Sequence, residues 1–187
     1  MALTLTVQPA AEPLTLGEAK HHLRVDGSDD DSFIESLITT SRLHIEATLG
    51  IALITQGWKL TLDRWPGQVV ALPLRPLKTV DAVRVFDGAG AAVPVDASAY
   101  TVDIAAGRIF TDSVWPHPGR THAGIELDFT AGFGASASDV PEPIRQALKL
   151  LVAHWYEHRE AVTTGDRGAR IPIGVSDLLA PWKAMRL

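Results

Sequence analysis

A chain of 187 residues, 46% of them hydrophobic and with a net charge of −5, has enough apolar material for a packed core and no basic surplus with which to grip a duplex over many phosphates. It has no cysteine, which excludes disulfides and every zinc site that uses a thiolate. The opening stretch lacks the basic and apolar regions of a secretory signal, and no run approaches the ~20 apolar residues of a membrane span, so no membrane partner is expected.

Residues 1–13 read as a short arm of mixed apolar and polar residues with two prolines. A first helix is expected next. Thr15 and Glu18 have capping-box spacing, and Leu16, Ala19 and Leu23 recur at helical steps. The turn "DGSDDDS" interrupts at 26–32. Asp29, Asp30 and Asp31 stand at the start of a second helix, where the partial positive charge of the helix end favours carboxylates. Ile34, Leu37, Ile38, Ser41, Ile45 and Leu49 carry its apolar face, and Gly50 supplies a left-handed cap. A calcium loop does not fit, because the spacing D-x-[DN]-x-[DN]-G is absent.

The period changes at residue 51. Trp58, Leu60 and Leu62 alternate with Lys59, Thr61 and Asp63, as on a half-buried strand. "QVVALPL", "TVDAVRVFD", "AAVPV", "AYTVD", "GRIFT" and "IELDFTAGF" continue the series, and "DGAG" at 87–90 is a hairpin signal. An antiparallel β unit over 51–134 is expected.

Helix returns after Asp139, a candidate cap. Prolines 141 and 143 fit only in a first turn. Ile144, Leu148, Leu151, Trp155 and Val162 then form one stripe, so residues 14–50 and 139–162 make a helical core. Residues 163–170 read as a Gly-containing link. An apolar arm follows, with Ile171, Ile173, Val175, Leu178, Leu179, Trp182, Met185 and Leu187. The expected fold is α+β: mainly an α-helical bundle of an N-terminal helix pair and a long last helix, with an inserted antiparallel β unit and an extended C-terminal arm. The simplest packing brings the second and third helices together, with the β unit projecting. An apolar tail of this kind either folds back on its own core or buries itself in another chain. In the second case the contact is heterologous and can close a ring.

Chemistry is sparse. His154, Glu157 and His158 spell H-x-x-E-H, the signature of an inverted zinc peptidase. Residues four apart share a helix face, so two imidazoles could meet one metal. A catalytic zinc needs a third ligand, however, which such peptidases take as an acidic residue well downstream, and only 29 residues follow His158 (187 − 158), with Glu160, Asp166 and Asp177 as their only carboxylates. A helical wheel puts His158 just inside the apolar stripe, His154 at its border and Glu157 toward the polar side. His21 and His22 point to different faces. His117 and His122 lie in a loop that could hold a ligand or a partner contact, or be an exposed turn. Arg167 and Arg170 could touch a phosphate. No nucleophile elbow is present, and "GAGAAVP" lacks the ending of a phosphate loop. Trp58, Trp65, Trp115 and Trp155 read as packing residues.

The stretch "LTLGEAKHHLRVDGSDDDSFIESLITTSRLHIEATLGIALITQGW" resembles the N-terminal helical pair of tailed-phage head–tail connector proteins, also called adaptors. Leu14, Lys20, Leu23, the Asp29–Asp31 turn and Gly50 carry the likeness. "VPEPIRQALKLLVAHWYEHREAV" is similar to that family's last long helix. "LPLRPLKTVDAVRVFD" is similar to the start of the β insertion in the larger members, found in prophages and gene transfer agents. The resemblance implies a structural virion protein at the portal vertex, assembled in the bacterial cytoplasm. It would form a ring, usually of twelve, beneath the portal protein and ahead of a stopper or tail-terminator protein, with DNA passing through unheld. An acidic chain suits such a channel wall. The likeness implies no catalytic residue, no metal and no cofactor, and it assigns portal docking to residues 171–187. A zinc hydrolase using His154 and His158, and a DNA-packaging accessory protein, are the alternatives.

Overall fold

Alternation of apolar and polar residues builds the first of two compact units, Met1–Ala10 with Thr55–Phe133. The computed structural model describes residues 1–158 and 172–183. Strands β1 (Ala2–Val7), β2 (Gln56–Leu62), β3 (Val69–Ala71), β4 (Leu77–Phe86), β5 (Ala92–Pro94), β6 (Thr101–Asp103), β7 (Arg108–Phe110) and β8 (Ile125–Ala131) all lie here. A five-stranded antiparallel sheet has the order β1-β2-β8-β4-β5, and a smaller sheet has the order β3-β7-β6.

The register explains the stability of the larger sheet. Leu60 pairs with Leu127, which pairs on its other side with Val83, and all three are buried. Leu62, Ile125 and Val85 form a second buried row. Cross-strand apolar rows of this kind contribute about 0.2–1 kcal/mol per pair. The alternate residues carry charge: Lys59 pairs with Glu126 at 3.0 Å, and Arg84 pairs with Asp128. At the β4–β5 turn the Asp87 carboxylate accepts from the amides of Ala89 and Ala91, and Gly90 adopts a φ of 86°, so the hairpin expected at 87–90 forms.

The first residues do not form a free arm. As β1 they pair with β2 and complete the sheet edge, Leu3 opposite Leu60 and Leu5 opposite Trp58. Short polar–apolar alternation over six residues is a weak signal until the strand it pairs with is known.

The second unit comprises Ala11–Ile54 and Gly134–Leu187. Helix α1 (Leu16–Leu23) carries the expected capping box, with Thr15 Oγ1 accepting from the Glu18 amide and Glu18 Oε2 accepting from the Thr15 amide at 3.0 Å. Helix α2 (Asp31–Leu49) ends on Gly50 at φ 64°. Its buried face of Ile34, Leu37, Ile38, Ile45 and Leu49 packs on helix α3 (Glu142–Glu157), which buries Ile144, Ala147, Leu148, Leu151 and Val152. Ile51, Ala52, Leu53 and Ile54 are also buried and belong with the helices, Ile54 bridging to Gly134.

Three expectations need correction. Asp139 does not cap the long helix; it closes a 3-10 turn (Ala137–Asp139) with Ser136, and Pro141 occupies the cap position of α3. The helix ends at Glu157, so His158 is an exposed cap residue and not part of the stripe. Val162 and the 163–170 link lie outside the described residues. The fold is α+β, but it is not mainly a helical bundle: two antiparallel sheets take a share comparable to that of the helices.

Candidate assembly surfaces

The apolar arm is the first candidate. Residues Ile173–Leu179 form a short helix, α4, that packs on α3, followed by a 3-10 turn (Ala180–Trp182). Val175 and Leu179, four apart, face inward and are buried. Ile173 is 79% exposed. Leu178 and Trp182 are half-buried. The arm therefore divides: one edge is spent on its own subunit and Ile173 is left outside. Ile171, Met185 and Leu187 lie outside the described residues, as do Arg167 and Arg170.

The histidine pair sits at the C-terminal end of α3, His154 in its last turn and His158 at the cap. The His154 and His158 rings are 4.7 Å apart between centroids, and the His158 ring nitrogen Nδ1 lies 2.8 Å from the His154 carbonyl oxygen. Beside them Trp155 meets His44 edge to face. Among the described residues no group of three His, Asp or Glu side chains converges as a metal site.

Hydrogen bonds and ion pairs set the helical unit's shape. Tyr156 donates to Asp30 at 2.6 Å, and Lys20 pairs with Asp31 at 2.5 Å, so the acidic turn before α2 is held at two points. Arg145 reaches both Glu18 and Glu142. The Glu18 carboxyl is held below the usual carboxylate range, chiefly by the hydrogen bond from the Thr15 amide, with the Arg145 cation adding to it.

In the β unit the loop carrying His117 and His122 lines an open cleft of about 720 Å³ with Asp63, Arg64, Trp65 and Arg120. His117 and His122 were visible in sequence as an ambiguous loop. The sequence reading missed Arg64, Arg120 and Asp63. The only signal was the pair of short charged stretches "LDRW" and "GRTH", whose proximity depends on the strand pairing.

The family model for head completion proteins matches residues 13–171. The chain belongs to the head completion protein family. No curated protein matches it. Among solved structures it is similar to a chain in the neck of an empty gene transfer agent particle, computed with C6 symmetry, at 33% identity and a TM-score of 0.85, covering 100% of this chain and 97% of the other. It is similar at 33% identity and a TM-score of 0.84 to a chain in the virion of a native gene transfer agent particle, with the same coverage. A chain in the neck of the native particle, computed with C12 symmetry, matches at 33% identity and a TM-score of 0.81, again over 100% and 97%. As a head completion protein, this chain is a structural head–tail connector of the virion, at the head–tail interface. The resemblance seen in its two helical stretches and its β insertion is thereby confirmed.

Proposed function

We propose that this connector is one subunit of a ring of twelve that joins the portal protein on one side to a stopper or tail-terminator protein on the other. DNA passes through it without specific binding, and it performs no catalytic step. The observation that carries the reading is the full-length likeness to neck chains of particles computed with C12 and C6 symmetry. The acidic balance of 22 Asp and Glu against 17 Lys and Arg suits a wall that must not retain a polyanion.

The arm is the proposed docking element for the portal or a neighbouring subunit. Val175 and Leu179 anchor it to α3, so its outward contact uses Ile173, with Leu178 and Trp182 at the margin. Ile171, Met185 and Leu187 extend the same apolar sequence. Removing 171–187 would uncover α3, so a point change is the cleaner test. Ile173→Asp is expected to leave the fold intact and to yield heads without tails. Electron microscopy of particles should place the connector as a ring at the portal vertex. Particles with normal tails from Ile173→Asp would remove the arm from the docking role, and connector density away from that vertex would sink the reading as a whole.

A further inference from the structure

The cleft beneath the His117–His122 loop is held rigid by contacts at several points. Trp65 stacks on Trp115 with centroids 4.3 Å apart and donates from Nε1 to the Pro116 carbonyl at 2.9 Å. The Gly119 amide donates to the Phe86 carbonyl at 2.7 Å. Arg120 lies 3.7 Å over the Phe86 ring and donates from Nε to the Ala123 carbonyl at 2.8 Å. Ala123 adopts a φ of 49°, which costs a non-glycine residue about 1 kcal/mol or more, and its amide donates to Asp63 at 2.8 Å.

Asp63 is the only carboxylate lining the cleft among the described residues, and that backbone hydrogen bond favours its ionised form. Arg64, His117 and His122 are exposed and make no hydrogen bond or close ion pair with another described residue. The backbone frame beneath this rim is already fixed, so a docking carboxylate would order exposed side chains and not the loop that carries them. Arginine in particular matches a carboxylate with two parallel hydrogen bonds.

The chain also carries a complementary surface. In the turn before α2, Asp31 is neutralised by Lys20 and Asp30 is engaged by Tyr156. Asp26 and Asp29 are exposed and have no such partner among the described residues. Arg24 stands nearby, yet the turn remains net negative. A ring needs two different surfaces on each subunit that fit one another. We propose that the Arg64–Arg120 cleft of one connector subunit receives the Asp26–Asp29 turn of a second copy. The inference rests on the ring reading above. Copies that each carry a net charge of −5 repel at long range, so a local charge match of this kind sets the register of the contact and excludes others.

A charge swap tests it in assembled particles. Arg64→Glu and Asp29→Arg should each lower the yield of tailed particles about tenfold, and the double variant should restore it. Both sites are exposed, so unfolding midpoints should move little, by no more than the small loss from reversing a charge beside the α2 N-terminus. The chain has no cysteine, so Ser28→Cys with Thr121→Cys should give a ladder of disulfide-linked multimers when purified particles are oxidised. Normal yield from both single variants, or a double variant no better than the worse single, would overturn the proposal. So would damage from Arg64→Glu with a harmless Asp29→Arg and no ladder, which would assign the cleft to DNA phosphate or another protein. Failure of the ring reading is separately visible, because wild-type particles would then show no ring of connector density.

Discussion

Arg42 donates from Nη1 to Glu46 Oε2 at 3.0 Å, one turn further along α2, and the two side chains are only 9% and 11% exposed. Arg42 also donates from Nε to Glu12 at 2.8 Å, and the other Glu46 oxygen accepts from the Leu53 amide at 2.8 Å. Burial works against the guanidinium's charge, but hydrogen bonding and attraction from Glu12, then Glu46, outweigh it and move its pKa up. The buried turn that follows α2 is thus tied to the helix by a charged group that itself needs a partner.

Arg42→Met should therefore cost about 3 kcal/mol, because it takes the guanidinium away from the buried Glu46 carboxylate. Glu12→Gln should cost under about 1 kcal/mol, since Glu12 is a third exposed and screened by water. Urea unfolding of the two variants checks the ratio. Equal losses would show that Glu12, and not burial of Glu46, sets the energy.

The capping box of α1 makes stability depend on acid. Glu18 has a lowered pKa in the folded chain, so on acidification the unfolded chain takes up its proton first. The stabilisation is fully present above the unfolded carboxylate value of about 4.3 and disappears as the pH falls through the lower folded value. Thr15→Ala removes the side-chain acceptor for the Glu18 amide and should cost about 1 kcal/mol at neutral pH. Glu18→Gln should flatten the acid limb of the unfolding curve below about pH 4.3, where the unfolded carboxylate begins to take up its proton. An unchanged acid limb would show that the group is not linked to folding.

Two glycines should respond in opposite directions to alanine. At Gly119 a Cβ would fall 2.5 Å from the Asp87 carbonyl carbon and closer still to the Gly88 nitrogen, neither of which can swing away. Gly119→Ala should cost about 1–3 kcal/mol and perturb the near-ultraviolet dichroism of the Trp65–Trp115 stack. A Cβ at Gly17, inside α1, meets nothing within 4 Å. Gly17→Ala should stabilise by about 0.5–1 kcal/mol, read as a higher thermal midpoint.

The two edges of α4 should separate in the same way. Leu179→Ala should cost about 2–3 kcal/mol, because the side chain is 4% exposed against α3. Ile173→Ala should change stability by no more than about 0.5 kcal/mol. Unfolding of the purified chain measures both. An Ile173→Ala loss as large as that of Leu179→Ala would mean that the whole arm is internal.

Features set by neighbours in the chain were legible in advance. The Thr15–Glu18 box, the Gly50 cap and the hairpin at Asp87–Gly90 each depend on groups within four residues of one another, and their residue types are chosen by that chemistry. Long periodic faces, such as Ile34 to Leu49 on α2, were legible for a related reason: four turns of repeat leave one solution. Asp139 does not cap α3 because Ser136, three residues earlier, engages the same carboxylate from both its amide and its hydroxyl.

By itself the sequence determined the kinds of element, their caps and turns, and an acidic, cysteine-free composition suited to an assembly part and not to a thiol or thiolate chemistry. Only the tertiary structure decided that the first residues become the edge strand β1, that β2 lies between β1 and β8, that Asp63, Arg64 and Arg120 share one cleft, and that Val175 and Leu179 are buried while Ile173 is not. Each of those outcomes joins residues tens of positions apart. The free energy of such a pairing comes from surfaces buried between distant segments, and no local pattern carries that information.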